Sequence, residues 1–166
     1  MANKSGAIGT RTAEAVCRTL RNLGFPYAER RDENGRFDRG DIGGCGTSFG
    51  DVCWQVKGGH AAEDASPALI RKWLAELEVQ RANAKADVGI LVRKRRAVGL
   101  PNARLWHAEI TEATYREILG RETGLWDVSP ERHGAVFSMS LEEVAAILVR
   151  AGFGSSVPQP RSEVSP

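Results

Sequence analysis

Apolar residues recur along this chain at two spacings, and the switches between them divide it into elements. From about Ile8 to Leu23, Ala13, Val16, Leu20 and Leu23 repeat at helical spacing, and Gly24 ends the pattern as a C-terminal cap would. Phe25 to Arg31 reads as a short strand, with Pro26 at an edge or a start, and Asp32-Glu33-Asn34-Gly35 as a tight turn. Arg36 to Ile42 leads into a second strand. The link Gly43-Gly44-Cys45-Gly46-Thr47-Ser48 has neither a following helix nor a Gly-Lys-Ser/Thr ending, so it reads as a hairpin loop and not as a phosphate cradle. Asp51 to Lys57 is the third strand. Alternation puts Val52, Trp54 and Val56 on one face and Cys53, Gln55 and Lys57 on the other.

After a loop over residues 58–64, Ser66-Pro67 is an N-cap followed by proline at the first helical position. Leu69, Ile70, Trp73, Leu74 and Leu77 trace the apolar face of that helix to about Asn83. Ala86 to Arg93 holds the continuous run Val88-Gly89-Ile90-Leu91-Val92 expected of a strand buried on both faces. A strand, a helix and a strand at this spacing form a crossover unit, which predicts a parallel pair. Arg104 to Ile110 alternates as a further strand, and Thr111 caps a short helix through Leu119. Leu125 and Trp126 sit in a turn-rich stretch, and Ala135 to Met139 reads as a strand. Ser140-Leu141-Glu142-Glu143 is a capping box opening a last helix. The Gly, Ser and Pro content from Gly154 onward predicts a disordered tail. The expected division is a core over 1–110, an extension packed on it over 111–153, and a tail over 154–166.

Composition adds bounds. The 166 residues, 42% hydrophobic and 27% charged, suit one soluble domain with a core of its own. No window is long and apolar enough to span a bilayer and the first residues lack a signal-peptide core, so the expected location is the cytoplasm, away from membranes. Cys17, Cys45 and Cys53 are unpaired in spacing and are expected reduced and packed. His60, His107 and His133 lack metal-ligand spacing.

The net charge of +2 does not indicate a nucleic-acid partner by itself, but its distribution bears on one. Arg30, Arg31, Arg36 and Arg39 precede Asp41, and Arg93-Lys94-Arg95-Arg96 follow the apolar fourth strand. These are two basic clusters at strand ends or two solvated faces. The third strand carries a parallel ambiguity. Gln55 and Lys57 beside Asp41 would gather an amide oxygen, an ammonium and a carboxylate, as a divalent-cation and phosphate site would need. The same alternation also describes a half-exposed strand whose polar side meets water. Glu14 lies off the apolar stripe of the first helix, where it reaches toward the sheet or pairs with Arg18 one turn on.

The order helix, strand, strand, strand, helix, strand, with Glu14, Gly24-Phe25, Glu29-Arg30-Arg31, Gly40-Asp41-Ile42 and Gln55-Val56-Lys57 in that sequence, resembles the PD-(D/E)XK nuclease superfamily. Within it, the closest likeness is to Holliday-junction resolvases of the archaeal and phage type. The likeness covers roughly residues 7–95. Two departures stand out. Gln55 replaces the acid expected before the lysine, as in nucleases resembling the Mrr restriction group, and the loop Asp32 to Asp38 lacks the Gly-Ser-Gly of many archaeal resolvases.

The resemblance implies an α/β, restriction-endonuclease-like core of order αβββαβ, a mixed central sheet flanked by helices, with a C-terminal extension. It implies a metal-dependent endonuclease acting on branched DNA as a homodimer. Asp41 would be the main ligand of Mg²⁺, or of Mn²⁺ in its place, with the Gln55 oxygen and the Val56 carbonyl. Lys57 would orient the attacking water or offset developing charge, and Glu14 would join through a metal-bound water or hold a second ion. Asp38 and Asp51 rank below Asp41 as ligands. Phosphates would be held by Arg30, Arg31, Arg36, Arg39 and the run Arg93, Lys94, Arg95 and Arg96. The alternatives are an Mrr-like restriction or repair nuclease on duplex DNA and a catalytically weakened DNA-binding protein.

Overall fold

The computed structural model describes residues 4–31, 37–123 and 134–155. The sequence stretches read as the Asn-Gly turn, the Leu125-Trp126 region and most of the tail lie outside them, as does Arg36. The elements are α1 (Lys4–Asn22), β1 (Glu29–Arg30), β2 (Ile42–Gly43), β3 (Val52–Lys57), α2 (His60–Glu63), α3 (Pro67–Ala84), β4 (Val88–Arg93), a 3-10 segment (Leu100–Leu105), β5 (His107–Thr111), α4 (Glu112–Thr123), β6 (Val136–Ser140) and α5 (Leu141–Arg150).

Six strands form one mixed sheet in the order β1-β2-β3-β4-β5-β6, and every neighbouring pair is antiparallel except β3 and β4. That parallel pair runs in register from Val52 opposite Val88 to Lys57 opposite Arg93, so both strands end at the same edge of the molecule. The connection between them is the crossover that parallel pairing demands, and it delivers α3 onto one face of the sheet. There Leu74 and Leu77 pack on Cys53 and Leu91. The opposite face carries the larger core, in which Val52, Trp54, Val56, Val88, Ile90 and Val92 meet Val16 and Leu20 of α1 and Val144 and Leu148 of α5. The alternation read from the sequence therefore holds, with one change: Cys53 and Gln55 are buried too, because α3 roofs their face.

The caps behave as their chemistry requires. Ser66 accepts from the Leu69 N–H at 3.2 Å ahead of Pro67, and the Ser140–Glu143 box is closed in both directions, the Ser140 N–H donating to Glu143 Oε2 at 2.7 Å. Thr111 Oγ1 accepts from the Thr114 N–H at 3.2 Å at the start of α4, which runs past the predicted end at Leu119 to Thr123.

Four predicted segments are shorter than expected or of another type. The two strands before β3 contract to two residues each. β2 is bracketed by Gly40 (φ +82°) and Gly44 (φ +71°), and a backbone at positive φ leaves the pleated ladder. The strand expected from Arg104 starts at His107, because Leu100–Leu105 winds as a 3-10 segment whose Pro101 stands in its first turn. Part of the loop expected over 58–64 is the single turn α2. At the far end, Ser155 N–H donates to the Gly24 carbonyl at 2.9 Å, which ties the start of the expected tail to the end of α1. Among the described residues no helix is long and apolar enough to cross a membrane.

All three cysteines are unpaired and buried. Burial, which disfavours the thiolate, pushes Cys17 from an ordinary 9.0 to about 11 and Cys45 and Cys53 to about 12. In the unfolded chain these protons leave near the ordinary value, so the unfolded state binds fewer protons above it. The stability the thiols contribute is fully present below about pH 9 and is lost as pH rises toward the folded values. We expect the native protein at pH 8 to leave a disulfide-exchange reagent such as DTNB unreacted over minutes, and the same protein in denaturant to react at all three cysteines; rapid native labelling would contradict the packing described.

Candidate active site

Beside α1, at the ends of β3 and β2, lies a cavity of about 350 Å³. Its walls include Arg30, Arg31, Asp38, Asp41, Gln55, Val56, Lys57 and Gln80, with Gly6, Gly9, Thr10 and Ala13 of α1 on the remaining side. Asp41, Gln55, Val56 and Lys57, singled out from the sequence, are thus brought together. A larger cavity of about 670 Å³ lies across the sheet between α3, β4 and the start of α4, and it is lined mainly by apolar surface around Leu74, Leu77 and Gly89. That larger cavity also carries Arg71, Glu78, Arg81, Asp87, Glu112 and Glu117 on its lining, whereas the smaller one gathers the residues singled out from the sequence.

Asp41 is held at three points, two of them on β3. Its N–H donates to the Trp54 carbonyl at 2.8 Å, its carbonyl accepts from the Arg31 N–H at 2.8 Å, and its Oδ2 accepts from the Val56 N–H at 2.6 Å. The carboxylate thereby takes the next rung of the β2–β3 ladder. Gly40 makes this possible, since a Cβ there would come within 2.7 Å of the Trp54 carbonyl.

Gln55 is nearly fully buried, at 4% exposure. With its amide oriented so that both ends are satisfied, Nε2 donates to the Trp73 carbonyl at 3.1 Å, while Oε1 accepts from Lys57 Nζ at 3.1 Å and from Gln80 Nε2 at 3.0 Å. An amide oxygen has two lone pairs, and both are used. In this arrangement the Gln55 oxygen is engaged by Lys57 and Gln80, whereas the resemblance would give it to a metal ion. Lys57 is further held by Glu76 Oε2 at 3.5 Å and lies 5.6 Å from the centre of the Trp73 ring.

Glu14 does not line the cavity; it is exposed. The face of α1 turned to the site runs through Gly6, Gly9, Thr10 and Ala13, and each further residue rotates the helix by about 100°, which carries Glu14 off that face. Of the two rival acids, Asp38 lines the cavity. Asp51 stands at the other end of β3, where its Oδ1 accepts from the Val52 N–H at 2.8 Å. Gln80 was given no role by sequence reading; its position on the apolar stripe of α3, three residues after Leu77, was the sign available.

The basic residues divide. Arg30 and Arg31 line the cavity, and Arg31 donates to the Arg39 carbonyl at 2.5 Å. Arg39 is exposed. In the second cluster, Arg93 is drawn into the fold by the buried Glu109 at 2.7 Å, Lys94 pairs with Glu63 at 2.5 Å, and Arg96 pairs with Asp64. Arg95 is exposed. The four sit where β4 ends beside Lys57, but most of their charge is matched locally.

Among the described residues, no three His, Cys, Asp or Glu side chains gather to hold a metal ion. Mg²⁺ is commonly bound through one or two carboxylates while it keeps several waters, and Asp38 and Asp41 are the carboxylates among the residues lining the cavity. No protein-family model, curated protein or solved structure matches this chain.

Because Gln55 Nε2 serves the Trp73 carbonyl, Gln55→Glu would set a carboxylate against that carbonyl in a buried position. We expect it to cost about 1–3 kcal/mol of unfolding free energy, the usual penalty for an unmet buried polar group, measured by urea denaturation at pH 7. Unchanged stability would show that Gln55 does not use the Trp73 carbonyl.

Proposed function

We propose that the chain is a PD-(D/E)XK-like, metal-dependent endonuclease that hydrolyses phosphodiester bonds in branched DNA. The observation that carries this reading is the meeting of Asp41, Val56 and Lys57 in one cavity flanked by Arg30 and Arg31. It is supported by the element order α1-β1-β2-β3-α3-β4, which matches the αβββαβ core of the resemblance apart from the single turn α2. A divalent cation held at Asp41 and Asp38 would supply Lewis acidity and a polarised water. The chain's own residues do the rest: Lys57, fixed by Gln55, Glu76 and Trp73, presents an ammonium toward developing negative charge, and Arg30 and Arg31 seat the phosphate. Symmetric cleavage of a four-way junction requires two such sites, so the reading includes a homodimer.

A second reading, a DNA-binding protein with weak or no cleavage, is favoured by one observation: the wall position before Lys57 carries an amide whose oxygen is already engaged. Mrr-like action on duplex DNA is the remaining alternative.

These readings separate in one experiment. On the first, purified protein with Mg²⁺ or Mn²⁺ nicks a synthetic four-way junction in preference to linear duplex of the same sequence, EDTA stops it, and Asp41→Ala and Lys57→Ala each lower the rate by at least about a hundredfold. Retained junction binding without any cleavage selects the second reading, and equal cutting of linear duplex selects the Mrr-like one. Binding should weaken steeply with salt, as phosphate contacts do.

A further inference from the structure

We propose that Asp38 supplies this site with the carboxylate that Gln55 cannot, and that Gln80 is the residue that positions it. The inference rests on the nuclease reading above. Two walls of the cavity lack an acid: β3 offers the Gln55 amide and α1 offers Ala13. The carboxylates among the lining residues are Asp41 and Asp38.

Asp38 belongs to a loop, yet three of its atoms are fixed. Its Oδ1 accepts from the Gly40 N–H at 2.9 Å, its Oδ2 from Gln80 Nε2 at 2.6 Å, and its backbone carbonyl from Asn83 Nδ2 at 3.0 Å. Two of those donors come from α3, more than forty residues along the chain, so the acid is held by the crossover helix and not only by its own loop.

Gln80 occupies a place where an apolar side chain would serve the fold. The stripe of α3 facing the sheet contains Ile70, Trp73, Leu74, Leu77 and Ala84, and Gln80 lies on it at 8% exposure. Burying an amide there is unfavourable unless its donors are met. Both are met within the cavity wall: one N–H goes to Asp38 Oδ2 and the other to Gln55 Oε1. A single side chain therefore joins the carboxylate that faces the cation to the amide oxygen that aims Lys57. Gln80 touches neither substrate nor ion and works through these two.

The test is calorimetric titration of the full chain with Mn²⁺ alone, without DNA, together with thermal melting. We expect wild type to bind Mn²⁺, Asp38→Asn and Asp41→Asn to weaken it at least about tenfold, and Gln80→Met to weaken it roughly tenfold, while Asp51→Asn leaves it unchanged. The pair Asp38→Asn/Gln80→Met should bind no more weakly than Asp38→Asn alone, because Gln80 acts through Asp38; a merely structural role would make the losses add. Asp38→Asn alters one atom and carries the test if Gln80→Met melts too low. Mn²⁺ binding by Asp38→Asn and Gln80→Met equal to wild type overturns the inference and leaves the nuclease reading standing. Failure of wild type itself to bind Mn²⁺ overturns the metal-dependent reading and the inference with it.

Discussion

The parallel pairing of β3 with β4 governs the rest of the structure. Two parallel strands cannot be joined by a hairpin, so the chain must cross over one face of the sheet, and α3 is the crossover. Because α3 lies there, the polar face of β3 is buried, and every polar side chain on it needs a partner from the helix. Gln55 finds the Trp73 carbonyl and Gln80, and Lys57 finds Glu76 and the Trp73 ring. The topology that forms the hydrophobic layer of Leu74 and Leu77 also imposes the polar wiring of the cavity beside it.

That constraint accounts for the identity of residue 55. A side chain there must donate to a backbone carbonyl and accept from an ammonium and an amide. Glutamine does both with one planar group, whereas an ionised glutamate can only accept. The amide at position 55 thus answers to the helix above it. The carboxylates of the cavity wall are instead Asp38 and Asp41, which arrive from the loop before β2. The same economy appears at the far side of the sheet end, where Arg93 and the buried Glu109 neutralise each other at 2.7 Å with Ser138 Oγ donating to the carboxylate at 3.1 Å. A lone charge at either position would be costly, and the pair holds β4 against β5.

Periodicity carried the sequence reading far along the chain. The continuous apolar run of β4, the alternation of β3, and the caps at Ser66, Thr111 and Ser140 are local patterns, and each produced the element it predicts. What escaped depends on contacts distant in sequence or on helix phase. Asp38 and Gln80 are forty-two residues apart, and nothing local distinguishes a loop aspartate held by a helix from one in solvent. Glu14 was placed by its spacing from an apolar stripe, but one residue's rotation decides whether a helical side chain meets a cavity, and the turned position is Ala13. The two short strands failed for another reason. Glycines at positive φ bracket β2, and β1 pairs with β2 over Glu29 and Arg30 alone; the sequence shows a glycine without showing the angle it takes.

The charge balance of the cavity wall separates two steps that the proposed chemistry would otherwise merge. Arg30, Arg31 and Lys57 line it against Asp38 and Asp41, so cations outnumber carboxylates by one before any ion is added. A phosphate can be attracted to such a wall without a metal, through guanidinium groups that match its oxygens in pairs. The carboxylates have a different task, since they repel that same phosphate unless a cation stands between them. On the proposed function, binding of DNA would therefore be the property least sensitive to the loss of an acid, and bond cleavage the most sensitive. On that reading, a chain with an amide at position 55 and alanine at position 13 would keep the first while the second would rest on how firmly α3 holds Asp38.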